Sequence, residues 1–166
     1  MTDSRERTSR TELSFAEKRE EVAEFLAAPE NAIMTLATSA DNRVLARMVL
    51  IVSDDLDIYS FTWRGSRKCG QIRSNPRVAL CKDRVQIEGT AEILGGLFDP
   101  SNASIRTLFE ERYPQSVDNW RERPGMVLIR IRPTSVVLAG GPDEEPKLEF
   151  IDIEKEQAYA EPWADR

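Results

Sequence analysis

The sequence predicts a mainly β fold, a closed or partly closed antiparallel barrel with a few inserted helices. Three observations support this prediction. Most apolar segments are short and rich in β-branched or aromatic side chains, which is typical of strands. Turn-forming residues separate these segments at short intervals, so successive strands form hairpins. The connections are too short for the crossover helices that a parallel sheet requires.

Helical spacing of apolar residues and signals for helix ends together predict three helices. The first begins at Ser14, which has the capping-box spacing to Glu17, and it ends before Pro29. The second follows Ser66, a residue type that favours the N-cap, and ends before Pro76. The predicted helices cover residues 14–28, residues 67–74 and a stretch between residues 100 and 114.

The remaining apolar segments have strand character, and turns at residues 39–42 and 53–55 join the first three of them. The predicted strands cover residues 32–38, 44–52, 58–62, 77–82, 85–94, 127–131, 136–138 and 148–153.

A chain of 166 residues with 40% hydrophobic content is sufficient for one core. We expect residues 1–13 to be a disordered, charged tail and residues 14–166 to form a single domain. No segment resembles a membrane span or a signal peptide, so we expect a cytoplasmic protein without membrane contacts. Cys69 and Cys81 form no C-x-x-C pair, and we expect both to be buried free thiols.

The chain contains no histidine. This excludes a serine or cysteine nucleophile with a histidine base, and it excludes histidine metal ligands. The acidic residues are scattered as on a solvated surface, so we expect no metal site, and no catalytic side chain is identified. Any redox or group-transfer chemistry would therefore depend on a cofactor.

The charge distribution is uneven. With 23 basic and 29 acidic residues the net charge is -6, which argues against nucleic-acid binding. Residues 58–82 contain no acidic residue, although six basic ones fall there. These are Arg64, Arg67, Lys68, Arg73, Arg77 and Lys82.

Within this cationic segment, Ser66, Arg67 and Lys68 stand at a predicted helix N-terminus, where free amides and the helix dipole favour an anion. Thr62 offers a hydroxyl donor and Arg47 a second guanidinium. One interpretation is a site for a phosphate monoester. The other is a solvated helix face with unrelated surface arginines, and the spacing alone does not decide between them.

Several motifs resemble the pyridoxamine 5'-phosphate oxidase family. Residues 47–51 (RMVLI) resemble its R-x-V-L-L motif, and residues 61–68 (FTWRGSRK) resemble [YF]-T-x-x-x-S-[RK]-K. Residues 71–80 (QIRSNPRVAL) resemble Q-I-x-x-N-P-x-[VA], and residues 85–92 resemble the strand that follows. The resemblance implies a split β-barrel that binds FMN and forms a homodimer with the flavin at the subunit interface.

Carried over residue by residue, the resemblance implies that Arg47, Arg67 and Lys68 hold the FMN phosphate, with Ser66 and Thr62 as neutral donors. It further implies that the isoalloxazine and ribityl groups are flanked by Met48, Val49, Leu50 and Phe61.

The chain also departs from the family. Val52 stands where the family has a lysine that contacts the pyridoxal substrate, and Arg84 stands where it often has a glutamine. The oxidase's C-terminal substrate and flavin contacts have no counterpart after Ile153. We therefore do not expect pyridoxamine 5'-phosphate oxidase activity, and the chain looks more like the short, general-stress-type members.

Three functions remain open. The first is an FMN-dependent oxidoreductase that exchanges a hydride between the flavin and a small substrate or reduced nicotinamide. The second is a flavin-binding stress protein without turnover. The third is a relative that binds the deazaflavin F420 in place of FMN.

Overall fold

The computed structural model describes residues 10–121, 123–140 and 146–163. In these residues ten strands and four helices are found. The strands are β1 (Thr11–Leu13), β2 (Ile33–Ala40), β3 (Arg43–Leu50), β4 (Val52–Asp54), β5 (Asp57–Trp63), β6 (Arg77–Lys82), β7 (Val85–Gly96), β8 (Met126–Ala139), β9 (Lys147–Asp152) and β10 (Gln157–Pro162). The helices are α1 (Phe15–Ala27), α2 (Arg67–Ser74), α3 (Ala103–Arg112) and α4 (Pro114–Arg121).

All strand pairs are antiparallel, which confirms the predicted fold class. The order of the sheet is β1-β10-β9-β8-β7-β6-β2-β3, and β5 pairs with the first half of β8. The sheet therefore curls from β3 round to β5. Strand β3 contacts β5, but no ladder joins the two among the described residues. We call this gap the seam, and it makes the barrel a split one.

Two apolar clusters fill the structure. The first lies inside the barrel and beneath α1, and the second lies between the outer face of β5 and the α3/α4 pair. Alternation along β5 supplies both, because Ile58 faces the barrel interior while Tyr59 and Phe61 face the helices. Phe61 packs edge-on against Phe109, with ring centroids 5.0 Å apart. A large apolar side chain that is fully buried in either cluster stabilises the fold by about 1.5 to 3 kcal/mol relative to the same side chain left exposed.

The predicted helix boundaries are confirmed for α1 and α2. Ser14 caps α1, because its Oγ accepts a hydrogen bond from the Glu17 amide at 3.4 Å. Ser66 occupies the N-cap position of α2, but its side chain makes no capping bond. The third predicted helix corresponds to α3, whereas α4 directly after it is not predicted by the sequence.

The predicted strands 127–131 and 136–138 are one continuous strand, β8, which runs through Pro133. The proline is tolerated because the β7/β8 register shifts between Glu88 and Gly89, directly opposite it. A Cβ on Gly89 would lie 2.4 Å from the Arg132 carbonyl oxygen, so only glycine allows this close approach. The bulge was not visible in the apolar pattern.

Three further expectations need correction. Residues 11–13 belong to β1, which pairs with β10, so the predicted disordered tail extends too far; residues 1–9 lie outside the described part. Strand β10 is not predicted, and the expected strand 44–52 breaks at the buried Ile51 between β3 and β4. Both cysteines are free, but only Cys69 is buried, while Cys81 is exposed on β6.

Candidate functional site

Helix α2 lies beside the seam and brings three elements together. Lys68 on α2 donates a hydrogen bond from Nζ to Oγ1 of Thr62 on β5 at 2.7 Å. Arg47 on β3 donates from Nη1 to Oγ1 of Thr38 at 2.7 Å and to the Leu36 carbonyl at 3.2 Å. Arg47 is opposite Leu36 in the ladder, and Leu36 is fully buried. The Arg47 side chain therefore projects towards the barrel interior at the seam.

A buried relay holds the Arg47 guanidinium. Thr38 accepts from Arg47 and donates from Oγ1 to Oε1 of Gln71 at 2.7 Å. Gln71 in turn donates from Nε2 to the Arg43 carbonyl at 2.9 Å. Thr38 and Gln71 are 2% and 8% exposed, so their hydrogen bonds are shielded from water. The relay ties α2 to the β2/β3 hairpin and fixes the direction of Arg47.

The seam carries uncompensated positive charge. Burial, followed by the nearby Arg47 charge, lowers the pKa of Lys68, although Cys69 opposes this shift. Burial also lowers the pKa of Arg47. Neither cation forms an ion pair with an acidic side chain in the described part of the chain. Two cations held near each other in this way favour a bound anion.

An unpartnered hydroxyl lies beside these cations in the sequence. The Ser66 Oγ atom is buried and has no hydrogen-bond partner among the described residues. It stands at the N-terminus of α2, where the first amides lack intrahelical partners. A buried polar atom without a partner costs free energy, which a ligand oxygen at this position would recover. The two cations and the two hydroxyls, Ser66 and Thr62, match the donors that a phosphate monoester requires.

The other five predicted site residues are not drawn into this cluster. Arg67 is exposed on α2, and Met48 is 77% exposed on the outer face of β3. Leu50 is two residues from Met48 along the strand, so it lies on that same face, where it is half-buried. Val49 and Phe61 pack in the first and second apolar clusters, respectively. The assignment of all nine residues to a cofactor stays a prediction.

Sequence reasoning missed Thr38 and Gln71. Each left a signal, because Thr38 is a polar residue inside an apolar strand segment and Gln71 belongs to a quoted motif. Arg84, whose family position often holds glutamine, lies elsewhere: it lines a polar cavity together with Lys18 and Glu149.

The outer face of β2 and β3 is apolar and exposed. Ile33, Val44 and Met48 are 47%, 68% and 77% exposed, respectively. Pairing across the hairpin places Thr35 opposite Met48, and Cys81 of β6 is opposite Thr35 on its other side. We call the surface formed by Ile33, Val44, Met48 and Cys81 the outer apolar face. Contiguous apolar surface of this kind is typical of contact sites.

Two further properties bear on the site. The described residues contain no helix long and apolar enough to cross a membrane. They also contain no group of three or more cysteine or acidic side chains placed to hold a metal ion.

Comparison with known proteins identifies relatives of this architecture. The family model described as pyridoxamine 5'-phosphate oxidase matches residues 19–139. General stress protein 26 from Bacillus anthracis is 23% identical with a TM-score of 0.61, over 82% of this chain and 99% of that one. A FAD-binding protein from Mesorhizobium loti is also 23% identical, with a TM-score of 0.55, over 76% and 94%.

The heme storage protein HutZ from Vibrio cholerae is 15% identical with a TM-score of 0.57, over 73% of this chain and 91% of that one. At such identities these structures show a shared fold. The search of curated proteins gives no match. The matched family model covers most of the barrel and all of the seam residues, so the chain belongs to the pyridoxamine 5'-phosphate oxidase-like split-barrel family.

Proposed function

We propose that the chain binds FMN and holds the phosphate at the seam with Arg47, Lys68, Ser66 and Thr62. The observation that carries this proposal is the pair of partly buried cations, Arg47 and Lys68, that lacks a carboxylate partner in the described residues. The unpartnered Ser66 Oγ supports it. Arg67 is exposed and so has a weaker, water-screened part in holding the phosphate.

Bound FMN would supply two-electron redox chemistry. The chain's own residues bind and orient the phosphate, and the Thr38–Gln71 relay keeps Arg47 directed at it. On this basis we propose a cytoplasmic oxidoreductase that acts on a small substrate or a reduced nicotinamide. No described side chain is assigned a proton-transfer role.

Pyridoxamine 5'-phosphate is not the substrate that we propose. Val52 stands where the family has a substrate-binding lysine, and it is 2% exposed within the second apolar cluster. It therefore presents neither a charge nor a surface to a substrate. An assay for pyridoxal 5'-phosphate formation should give no useful rate, and efficient turnover would contradict this conclusion.

Two other functions compete with this proposal. A flavin-binding protein without turnover would use the same seam, and F420 has a phosphate that suits the same donors. A haem role like that named for HutZ has less support, because the chain has no histidine to serve as an axial ligand.

The test is to identify the molecule that the purified protein carries. Mass spectrometry after denaturation should find FMN, with the matching flavin absorbance before denaturation. F420 or haem in its place would contradict the proposal. Oxidation of NAD(P)H with an added electron acceptor then separates an enzyme from a binding protein, since only an enzyme gives catalyst-dependent turnover.

We also propose that the chain is a homodimer that buries the outer apolar face. Sedimentation should show a dimer, and Met48→Glu should give a folded monomer. Trp163→Glu is the control, because Trp163 is another exposed apolar residue, 62% exposed, outside this face. If FMN lies between subunits, a hundredfold excess over its Kd should stabilise the dimer by about 2.7 kcal/mol. A wild-type monomer with tightly bound flavin would contradict the proposal.

A further inference from the structure

Two arginines of the cationic segment, Arg64 and Arg73, lie away from the seam and line a cavity on another side of α2. A cavity of about 420 Å³ is lined by Arg64, Ile72, Arg73, Ala91, Glu92 and Val127, among others. It lies between α2, the second half of β7 and the start of β8. Its volume falls within the usual range for small-molecule sites, roughly 300 to 1,000 Å³.

The lining of this cavity includes an apolar part that belongs to the core. Ile72, Ala91 and Val127 are almost fully buried in the first apolar cluster and form the floor of the cavity, while the half-buried Ile93, which packs against the same cluster, presents apolar surface to it. These side chains are held by the packing of the barrel, so this part of the cavity is preformed. Preformed apolar surface favours a ligand with an apolar body.

The polar part of the lining is cationic. Arg64 and Arg73 are both exposed, and neither forms an ion pair with an acidic side chain in the described part of the chain. Glu92 is the acidic residue in the lining, and Arg130 pairs with it. Arg132 lies 3.6 Å from the same carboxylate. The two β8 arginines therefore compensate the negative charge of Glu92. The positive charges of Arg64 and Arg73 have no acidic partner in the described part of the chain and are available to a ligand.

Helix α2 separates this cavity from the seam. Gln71 directs its side chain towards β2, where it joins the relay to Arg47. The next residue, Ile72, lines the cavity instead. Consecutive helical side chains are about 100° apart around the axis, so the two sites lie on different sides of one helix. A ligand in the cavity needs no flavin at the seam.

We propose that this cavity is a second anion site, which binds a carboxylate with an aromatic body. Arginine forks pair with both oxygens of a carboxylate, and guanidinium groups stack on aromatic faces, so two unpaired arginines above an apolar surface suit this chemistry. The proposal stands independently of the proposed flavin binding.

Calorimetric titration with 2-naphthoate tests the proposal on the full chain as purified. We expect saturable binding to the wild type, at least tenfold weaker binding of the uncharged 2-naphthamide, and at least tenfold weaker 2-naphthoate binding to Arg64→Gln/Arg73→Gln. Arg77→Gln is the matched control, since Arg77 is an exposed arginine of the same segment that does not line this cavity, and it should bind as the wild type does.

Saturating FMN, or Lys68→Met at the seam, should leave the affinity for 2-naphthoate unchanged. No saturable binding, or equal affinities of the double variant and the wild type, would overturn the proposal. Competition by FMN would also overturn it, because the anion would then occupy the seam.

Discussion

Lys68→Met separates the phosphate role of this lysine from any structural one. In the described structure Lys68 contacts Thr62 and has a like-charged neighbour, Arg47. A charge-assisted hydrogen bond to phosphate is worth about 1.5 to 3 kcal/mol. At about 1.4 kcal/mol for each factor of ten, we expect FMN binding to weaken by about 10- to 150-fold.

The same substitution should affect the stability of the flavin-free protein little. Thr62 loses a hydrogen-bond partner, which costs about 1 kcal/mol. Removal of a charge whose pKa is lowered in the folded state opposes that loss, because the folded chain disfavours the charged ammonium more than the unfolded chain does. The free energy of unfolding should therefore change by less than about 1 kcal/mol.

The assay is a titration of apoprotein with FMN followed by quenching of flavin fluorescence, with urea unfolding of each variant beside it. Arg67→Gln is the matched control, because Arg67 is exposed and carries the same formal charge. It should weaken binding by at most about fivefold, the range for an exposed ion pair. Equal losses for the two variants, or a larger loss for Arg67→Gln, would refute the seam geometry as the phosphate site.

Three further predictions, each tested by substitution, concern other parts of the structure. Thr38→Val breaks the relay, so urea unfolding should show a loss of about 1 to 2 kcal/mol and FMN titration a weaker affinity, while Thr38→Ser keeps both. Burial opposes ionisation of Glu149, but hydrogen bonds from Lys18 and Lys147 lower its pKa below the ordinary 4.5. The contribution of Glu149 to stability is thus present above about pH 4.5 and lost as the pH falls through the folded-state pKa, so Glu149→Gln should flatten thermal stability against pH below that point. Gly89→Ala should lower the free energy of unfolding, measured by urea titration, by about 3 kcal/mol or more, because its Cβ would clash with the Arg132 carbonyl. Gly70→Ala is the comparison: its Cβ would enter open space, so this helix substitution should raise the free energy of unfolding by about 0.5 to 1 kcal/mol.

Each of these has a clear contrary result. Unchanged FMN affinity in Thr38→Val would show that Arg47 is positioned without the relay. A Glu149→Gln variant whose melting temperature falls with acid as steeply as that of the wild type would place the acid sensitivity elsewhere. A Gly89→Ala variant with the same free energy of unfolding as the wild type would show that the β7/β8 bulge can move apart to accept a Cβ without loss of stability.

Local rules predicted those elements whose signals lie within a few residues. Ser14 and Pro29 bracket α1, and the turn predicted at residues 39–42 does join β2 to β3, although it is confined to Asp41 and Asn42 because residues 39 and 40 belong to β2. The apolar pattern is interrupted at residues 132–135, which include Pro133, so the sequence predicts two strands where the structure has the single strand β8. The bulge that accommodates Pro133 depends on Gly89, more than forty residues earlier in the chain, and no local pattern reports such a pairing.

The candidate site shows the same division. The sequence indicates a cationic helix start at Ser66 to Lys68 with Arg47 as a second guanidinium, and the family motifs assign these residues to the FMN phosphate. The direction of Arg47 depends on Thr38 and Gln71, which meet only when α2 packs on β2. A serine at an N-cap position is expected to cap its helix, but the Ser66 hydroxyl makes no capping hydrogen bond to α2.

The seam affects how fast the backbone amides of the barrel exchange their hydrogens with solvent. Ladder hydrogen bonds fix the spacing of each strand pair from β3 round to β5, but none fixes the last step among the described residues. Alternate amides of β3 bond to β2, and those between them face away from it. Local opening there breaks side-chain contacts alone, so these amides should exchange deuterium faster than those of β2. The hydrogen-exchange protection of these β3 amides therefore measures how firmly the seam is closed, whichever ligand is bound there.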